Sequence, residues 1–284
     1  MGTLAKTGAL LRMVKIEHSV FALPFAYLGA FVSAGGWPGW RAFILLTVAM
    51  VAVRSFAMAW NRLVDLPYDS RNPRTAARPL ITGEITVRET KTFLAATAVV
   101  FILAAAGLNW LCLVLAPLAL VWSAFYSYTK RFTLMCHFAL GSVLGLAPVA
   151  GWIAPRPAFS LPPILFFLGV TFWVAGFDIL YALQDVEFDR ENDLHSIPAE
   201  LGVKPALVIA RLSHVNAALF FLLGGWAAWL SWPYFLTWAI VAGVMLWEHR
   251  LIKPDDLSKV NMAFFTLNGV ISIALFLGAL ISLA

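Results

Sequence analysis

The sequence predicts an all-α, polytopic membrane protein built as a bundle of about nine transmembrane helices. Three observations predict it. Of 284 residues, 61% are hydrophobic and only 12% charged, and the mean hydropathy is +0.84. Apolar runs of about 20 residues, long enough to cross a hydrocarbon core, recur along the whole chain. Lysine and arginine crowd alternate connections between those runs, whereas Arg41 and Arg156 stand on the opposite side. The last pattern fixes an N-terminus-inside orientation in the inner (cytoplasmic) membrane. It also explains the pI of about 9.4 as topology, which argues against nucleic acid as a partner. A soluble globular protein is excluded by composition.

The runs fall, in order, at 19–36, 40–60, 91–108, 110–127, 133–153, 162–184, 205–223, 225–246 and 260–283. The first follows a basic arm (Lys6, Arg12, Lys15) and leads straight into further spans, so it reads as a helix and not as a cleaved leader. The second ends in a polar stretch beginning at Asn61. The third and fourth are parted only around Asn109, a short external connection, and another such connection is expected around Ser231-Trp-Pro233. The long connections, roughly 61–90 and 185–204, are internal and carry charge and proline, where function tends to sit. Trp37, Trp40, Trp110, Trp229, Trp232 and Trp247 lie near span ends, as an interfacial belt requires. Cys112 and Cys136 fall in or beside spans and are expected to be small buried hydrophobes. No soluble appendage or low-complexity tract interrupts this order, so a single domain over 1–284 is expected.

Within this apolar chain two aspartate-rich patches stand out. The first reads Asn61-Arg-Leu-Val-Asp65-Leu-Pro-Tyr-Asp69 and the second Asp178-Ile-Leu-Tyr181-Ala-Leu-Gln-Asp185-Val-Glu-Phe-Asp189. Ionised carboxylates at the edge of a membrane are costly and usually functional. Asn61, Asp65 and Asp69 are four apart, and Asp178, Tyr181, Asp185 and Asp189 follow with steps of three, four and four, so each set shares a helical face. Oxygen donors so arranged suit magnesium, which takes one or two protein carboxylates and completes its shell with water and phosphate oxygens. The alternative is a solvated loop. Pro67 is expected to bend or break the helix and to leave Asp69 on a distorted turn.

Arg71, Arg74 and Arg78 follow the first patch and Lys130-Arg131 ends the fourth run. Each suits phosphate, and each is equally readable as topology alone. A diphosphate bridged by cations is a good leaving group from an allylic chain, and an apolar cavity would shield the resulting carbocation. Asp178 lies deeper than Asp185. It is expected either to orient an acceptor hydroxyl or take its proton, or to extend the metal patch.

At these residues the sequence resembles the UbiA superfamily of intramembrane prenyltransferases, over essentially the whole chain. Asn61, Asp65 and Asp69 match its NxxxDxxxD motif, with Arg74-Thr and Arg78-Pro-Leu in the usual continuation. Tyr181, Asp185 and Asp189 match YxxxDxxxD, and Tyr126-Ser-Tyr-Thr-Lys130-Arg131 is similar to a stretch whose lysine contacts diphosphate. The segments beginning at Lys15 and Tyr181 look like the 4-hydroxybenzoate polyprenyltransferase-like branch, some members of which prenylate a dihydroxynaphthoate.

The resemblance implies magnesium-dependent transfer of a polyprenyl group from polyprenyl diphosphate to an aromatic acid. It implies metal binding at Asn61, Asp65, Asp69, Asp185 and Asp189, diphosphate contacts at Arg74, Arg78 and Lys130, and a reacting centre facing Asp178 and Tyr181. Leu66-Pro67 departs from the polar pair usual in the first motif. His195-Ser196 stands where ubiquinone-branch members carry Lys-Ser, and His195 is expected to be an exposed loop residue. His18, His137, His214 and His249 show no ligand spacing and receive no role. The alternatives are a relative acting on haem, a chlorophyll precursor or a glycerol phosphate, and an ion-coupled transporter. The transporter is disfavoured because the carboxylates sit at helix ends and not at mid-span.

Overall fold

A computed structural model describes residues 3–15, 21–252, 260 and 267–284. Among these residues it is all-helical. After α1 (Thr3–Val14) come α2 (Leu23–Ala34) and α3 (Trp40–Val64), then a single turn, α4 (Leu66–Asp69). The hairpin α5 (Val87–Leu108) and α6 (Trp110–Thr129) follows, then α7 (Cys136–Ile153) and α8 (Leu161–Ala182). Short α9 (Val186–Glu191) and α10 (Ile197–Leu201) precede α11 (Val203–Ala227), α12 (Trp232–Leu251) and α13 (Asn268–Ser282). α3, α6, α7, α8, α11, α12 and α13 pack each against the next, α5 lies on α3 and α6, and α2 closes the ring against α13, α3 and α7.

The local chemistry sets the element ends. Thr86 and Glu89 form a reciprocal capping box at the start of α5. Asn109 breaks the α5–α6 rod and caps α6 by accepting the Cys112 N–H at 3.0 Å. Its amide donates to the Ile153 carbonyl at 2.7 Å, which ties this hairpin to the end of α7. Pro67 occupies the first turn of α4, where its missing N–H costs nothing. α3 therefore stops at Val64, and the Asp69 N–H still reaches the Asp65 carbonyl at 2.8 Å. The break expected at Pro67 is thus a new helix start.

Among the described residues six helices are long and apolar enough to cross a membrane: α3, α5, α6, α7, α8 with its continuation to Glu191, and α11. α2 and α13 are apolar but shorter. The first and ninth expected runs lie partly outside the described residues. The boundary expected between 223 and 225 is corrected: α11 runs on through Gly224 and Gly225 to Ala227, and the chain turns at 228–231. Those two glycines are packing positions. A Cβ on Gly225 would lie 2.1 Å from the Tyr234 ring, and one on Gly224 would lie 2.9 Å from Phe166.

The core is aromatic and closely packed. Phe25 packs on Trp173 and Phe221, with ring centroids 5.3 and 5.6 Å away. The polar edges of these rings are satisfied internally: Trp173 donates to Asn268 and Tyr234 to the Phe221 carbonyl, both at 2.8 Å. His214 bonds the Trp173 carbonyl through Nε2 at 3.2 Å and faces His249 Nε2 through Nδ1 at 3.0 Å. Cys112 and Cys136 are free and buried, as the sequence suggests. Without water to drive helices together, backbones in a bilayer approach where side chains are small. α2 and α7 do so at Gly29 and Gly151, where an added Cβ would meet the Pro148 carbonyl at 2.1 Å and the Ala26 carbonyl at 1.9 Å.

Gly151→Val should therefore separate α2 from α7 and destabilise the bundle by about 2 kcal/mol or more. The check is thermal unfolding in detergent, with Gly243→Ala, a site with open space around it, expected to leave the transition unmoved.

Candidate functional site

At one end of the bundle α3, α4, the loop after α4, α6 and the α8–α9 junction enclose a polar cavity of about 120 Å³. It is lined by Asn61, Asp65 and Asp69 from the first patch, Asp185 and Asp189 from the second, and Arg74, Arg78 and Lys130. The two patches are thus brought together. Asp178 and Tyr181 line the adjoining cavity, deeper toward the bundle, of about 240 Å³. Arg71 does not line either cavity.

Each carboxylate is held by a cation. Arg74 grips Asp185 through two bonds, Nη2 to Oδ2 at 2.6 Å and Nε to Oδ1 at 2.9 Å. Its Nη1 also donates to the Tyr181 hydroxyl at 3.2 Å. Arg78 pairs with Asp69. Lys130 Nζ lies 2.7 Å from Asp189 Oδ1, an ion pair whose alignment falls short of a hydrogen bond. Asn61 donates to Asp65 Oδ2 at 2.7 Å while its Oδ1 accepts from Arg62 at 3.0 Å, which fixes the amide orientation. Arg131 stands 3.8 Å from Asp65, donates to the Val64 carbonyl, and lies over the rings of Tyr68 and Tyr128.

Burial shapes the charges. It pushes the Asp65 carboxyl up to about 6, with Asp69 adding to the shift and Arg62, Arg131 and Asn61 opposing it. For Lys130, burial works downward but the Asp189 carboxylate more than offsets it, so its pKa is raised and the ammonium persists. The alternative of a solvated loop does not hold for two of the carboxylates: the side chains of Asp185 and Asp189 are 10% and 0% exposed. Asp185 closes the 3-10 turn Leu183–Asp185, and Asp189 lies on α9 just after it.

The donor set suits a hard cation, since all four acidic groups and Asn61 offer oxygen. Among the described residues no cluster of three or more acidic, histidine or cysteine side chains is drawn tightly enough to hold a metal ion. The carboxylates are closed on arginine and lysine.

Sequence spacing gave no sign of several other residues here. Asn72 donates to Asp185 at 3.4 Å, and Arg62 joins the carboxylate cavity. His137, 41 residues from Asp178, contacts it at 2.7 Å. His195 is about 40% exposed and bonds Glu200, as expected of a loop residue.

Comparison with known proteins decides the family. The sequence profile of the UbiA prenyltransferase family matches residues 22–270. The chain belongs to the UbiA prenyltransferase family. This UbiA-family enzyme is 28% identical to a 4-hydroxybenzoate octaprenyltransferase of Methylobacillus flagellatus, covering 98% of this chain and 94% of that one. It is 27% identical to the Klebsiella pneumoniae protein of the same name, over 88% and 86%. A UbiA homolog from Aeropyrum pernix K1 shares the fold with a TM-score of 0.86 and 36% identity, over 95% of this chain and 99% of that one. A UbiA homolog from Archaeoglobus fulgidus, bound to GPP and Mg2+, has a TM-score of 0.72 at 19% identity, over 97% and 99%; it shows the likeness of fold.

Removing the Arg74 side chain strands Asp185 in its buried setting. Arg74→Met should lower stability by about 1–3 kcal/mol, and adding Asp185→Asn should restore most of it, because an uncompensated charge costs more than a missing pair. Thermal denaturation of the two single variants and the double variant measures this coupling.

Proposed function

We propose that this UbiA-family enzyme transfers a polyprenyl group from its diphosphate to an aromatic acid, 4-hydroxybenzoate or 1,4-dihydroxy-6-naphthoate, in making a respiratory quinone. The proposal includes a nine-span arrangement in the inner membrane with the N-terminus and the carboxylate cavity on the cytoplasmic side. The names of the curated relatives support the acceptor class, and the fold neighbour carrying GPP and Mg2+ supports the leaving group and metal.

One observation carries the reading. A single face of α3, through Leu46, Ala49, Met50, Val53, Arg54, Ala57, Met58 and Asn61 and continued by its C-cap Asp65, lines four successive cavities. The steps of three and four are one helical stripe, and from Leu46 to Asp65 it runs about 29 Å. Neighbouring cavities share walls. Met50, Phe101, Ala119, Leu146 and Ala150 line both apolar ones, and Arg54, Met58 and Tyr126 join the second to the cavity of Asp178. Asn61, Arg62, Arg74 and Arg78 join that cavity to the carboxylates. The path is apolar at one end and ionic at the other, as a prenyl chain with a diphosphate head requires.

The chemistry follows from the order of groups. The diphosphate lies among Arg74, Arg78 and Lys130, which exchange their carboxylate partners for phosphate oxygens. Magnesium, held by Asn61, Asp65, Asp69, Asp185 and Asp189, supplies Lewis-acid neutralisation of the leaving group when bound. The allylic C–O bond breaks and its electron pair leaves with the diphosphate. The apolar walls keep water from the carbocation. A ring carbon of the acceptor attacks it, a C–C bond forms, and the proton on that carbon passes to the Asp178 carboxylate. Lys15, Arg54 and Arg62 line the same cavity as Asp178, which suits an acceptor that carries a carboxylate.

The deciding experiment supplies purified protein with polyprenyl diphosphate, magnesium and either acid, and reads product mass. A prenylated acid is expected. Diphosphate release with neither acid prenylated would remove the acceptor assignment, and no magnesium-dependent release would remove the transfer reaction. Asp65→Asn and Asp185→Asn should each lower turnover by about 100-fold or more with the helical circular dichroism unchanged. Near-full activity in both would refute the metal assignment. Ala119→Phe and Ala150→Phe, where the apolar cavities meet, should lower kcat/KM for a long prenyl diphosphate by about 10-fold and leave a ten-carbon donor nearly unaffected.

A further inference from the structure

The structure assigns a role to His137 that the reaction scheme above does not use: it is a positioning residue that fixes the orientation of Asp178. The inference rests on the proposed function only in giving Asp178 the acceptor side of the reaction.

His137 is the second residue of α7 and is 2% exposed. Its ring is engaged at both nitrogens. Nε2 lies 3.3 Å from the backbone nitrogen of Ile197, and Nδ1 lies 2.7 Å from Asp178 Oδ2. A backbone N–H only donates, so Nε2 must be the acceptor and carry no proton. The proton of the neutral imidazole is then on Nδ1, and Nδ1–H donates to Asp178. The tautomer is set by a main-chain group that cannot reverse its role.

The reason Ile197 needs this partner is local. It opens α10, and the first N–H groups of a helix have no acceptor within it. Ser196 satisfies one by accepting from Ala199 at 3.3 Å, and His137 satisfies another. The same Ser196 hydroxyl donates to Asp189 Oδ2 at 3.0 Å. One short turn of chain therefore ties the deep carboxylate, Asp178, to a carboxylate of the ionic cavity, Asp189.

Asp178 is the carboxylate that needs an external orienting group. Its side chain is 24% exposed, and it lines the cavity beside Tyr181, Phe177 and Leu144. With Oδ2 held by an imidazole N–H, the carboxylate keeps one rotamer and presents Oδ1 to the cavity.

Side-chain geometry separates this role from simple packing. The amide of His137→Asn places a donor at the δ position and keeps the bond to Asp178, whereas His137→Gln places its amide at the ε position, toward Ile197. His137→Asn should hold kcat within about 10-fold of wild type, and His137→Gln and His137→Ala should lose about 100-fold. The KM for polyprenyl diphosphate should not change in any of them, since Asp189 keeps its own partners, Ser196 and Lys130, when His137 is replaced. His137→Ala added to Asp178→Ala should cost nothing further. Equal loss in His137→Asn and His137→Gln, or a diphosphate KM that rises with the fall in kcat, would overturn the assignment.

Nitrogen-15 NMR of histidine-labelled protein in detergent gives a readout independent of any acceptor. A neutral ring protonated at Nδ1 is expected for His137, with its Nδ1–H resonance shifting in Asp178→Asn. An Nε2-protonated ring, or no response to Asp178→Asn, would overturn the inference. If the NMR result holds while neither acid is prenylated, the acceptor assignment fails and the His137–Asp178 bond stands.

Discussion

Everything at the functional end of this molecule follows from one constraint: four carboxylates gathered at the edge of an apolar bundle must be neutralised. Asp65, Asp69, Asp185 and Asp189 line a single cavity, and Asp189 is fully buried. Charges in such a setting persist only when paired. The chain supplies Arg62, Arg74, Arg78, Lys130 and Arg131 at the same place. Because Arg74 and Asp185 come from different halves of the chain, their two-bond contact also fastens the first patch to the second.

This pairing explains why the residues that hold the cavity together are the ones proposed to hold substrate. An arginine fork matched to a carboxylate is equally matched to a phosphate. In the proposed reaction, a diphosphate head would take over these cationic partners while the carboxylates would turn to divalent cations, leaving the local charge nearly balanced. The proposed reading thus gives a site held together by its own ion pairs and matched to a highly charged headgroup. Under the same proposal the apolar stripe of α3 selects the tail of that headgroup, since a long hydrocarbon chain gains by leaving water along it.

Packing constrains the site from a distance. The carboxylate end of α3 and the junction of α8 with α9 face each other because α7 lies close against both α2 and α8. Gly29 and Gly151 permit the first contact, and Gly141 and Gly145, facing Thr171 and Phe167, permit the second. A side chain at any of these would move a helix wall by ångströms, which matters for the two Arg74–Asp185 bonds made at 2.6 and 2.9 Å. The buried aromatic cluster around Phe25 and Trp173 fills the space between these helices and resists such shifts.

The sequence by itself determined the all-helical, membrane-spanning class, the oxygen-rich patches and the basic residues beside them. These are legible because helical period and charge distribution are local properties: Asn61 and Asp65 meet simply by standing four apart on one helix. Tertiary structure alone decided which groups meet across more than 100 residues, such as Arg74 with Asp185. It also turned Gly224 and Gly225 from an apparent break into packing positions, and gave His137, which has no spacing relation to either patch, two partners. Those outcomes depend on how closely helix backbones approach and on what each rotamer then reaches, and periodicity carries no information about either.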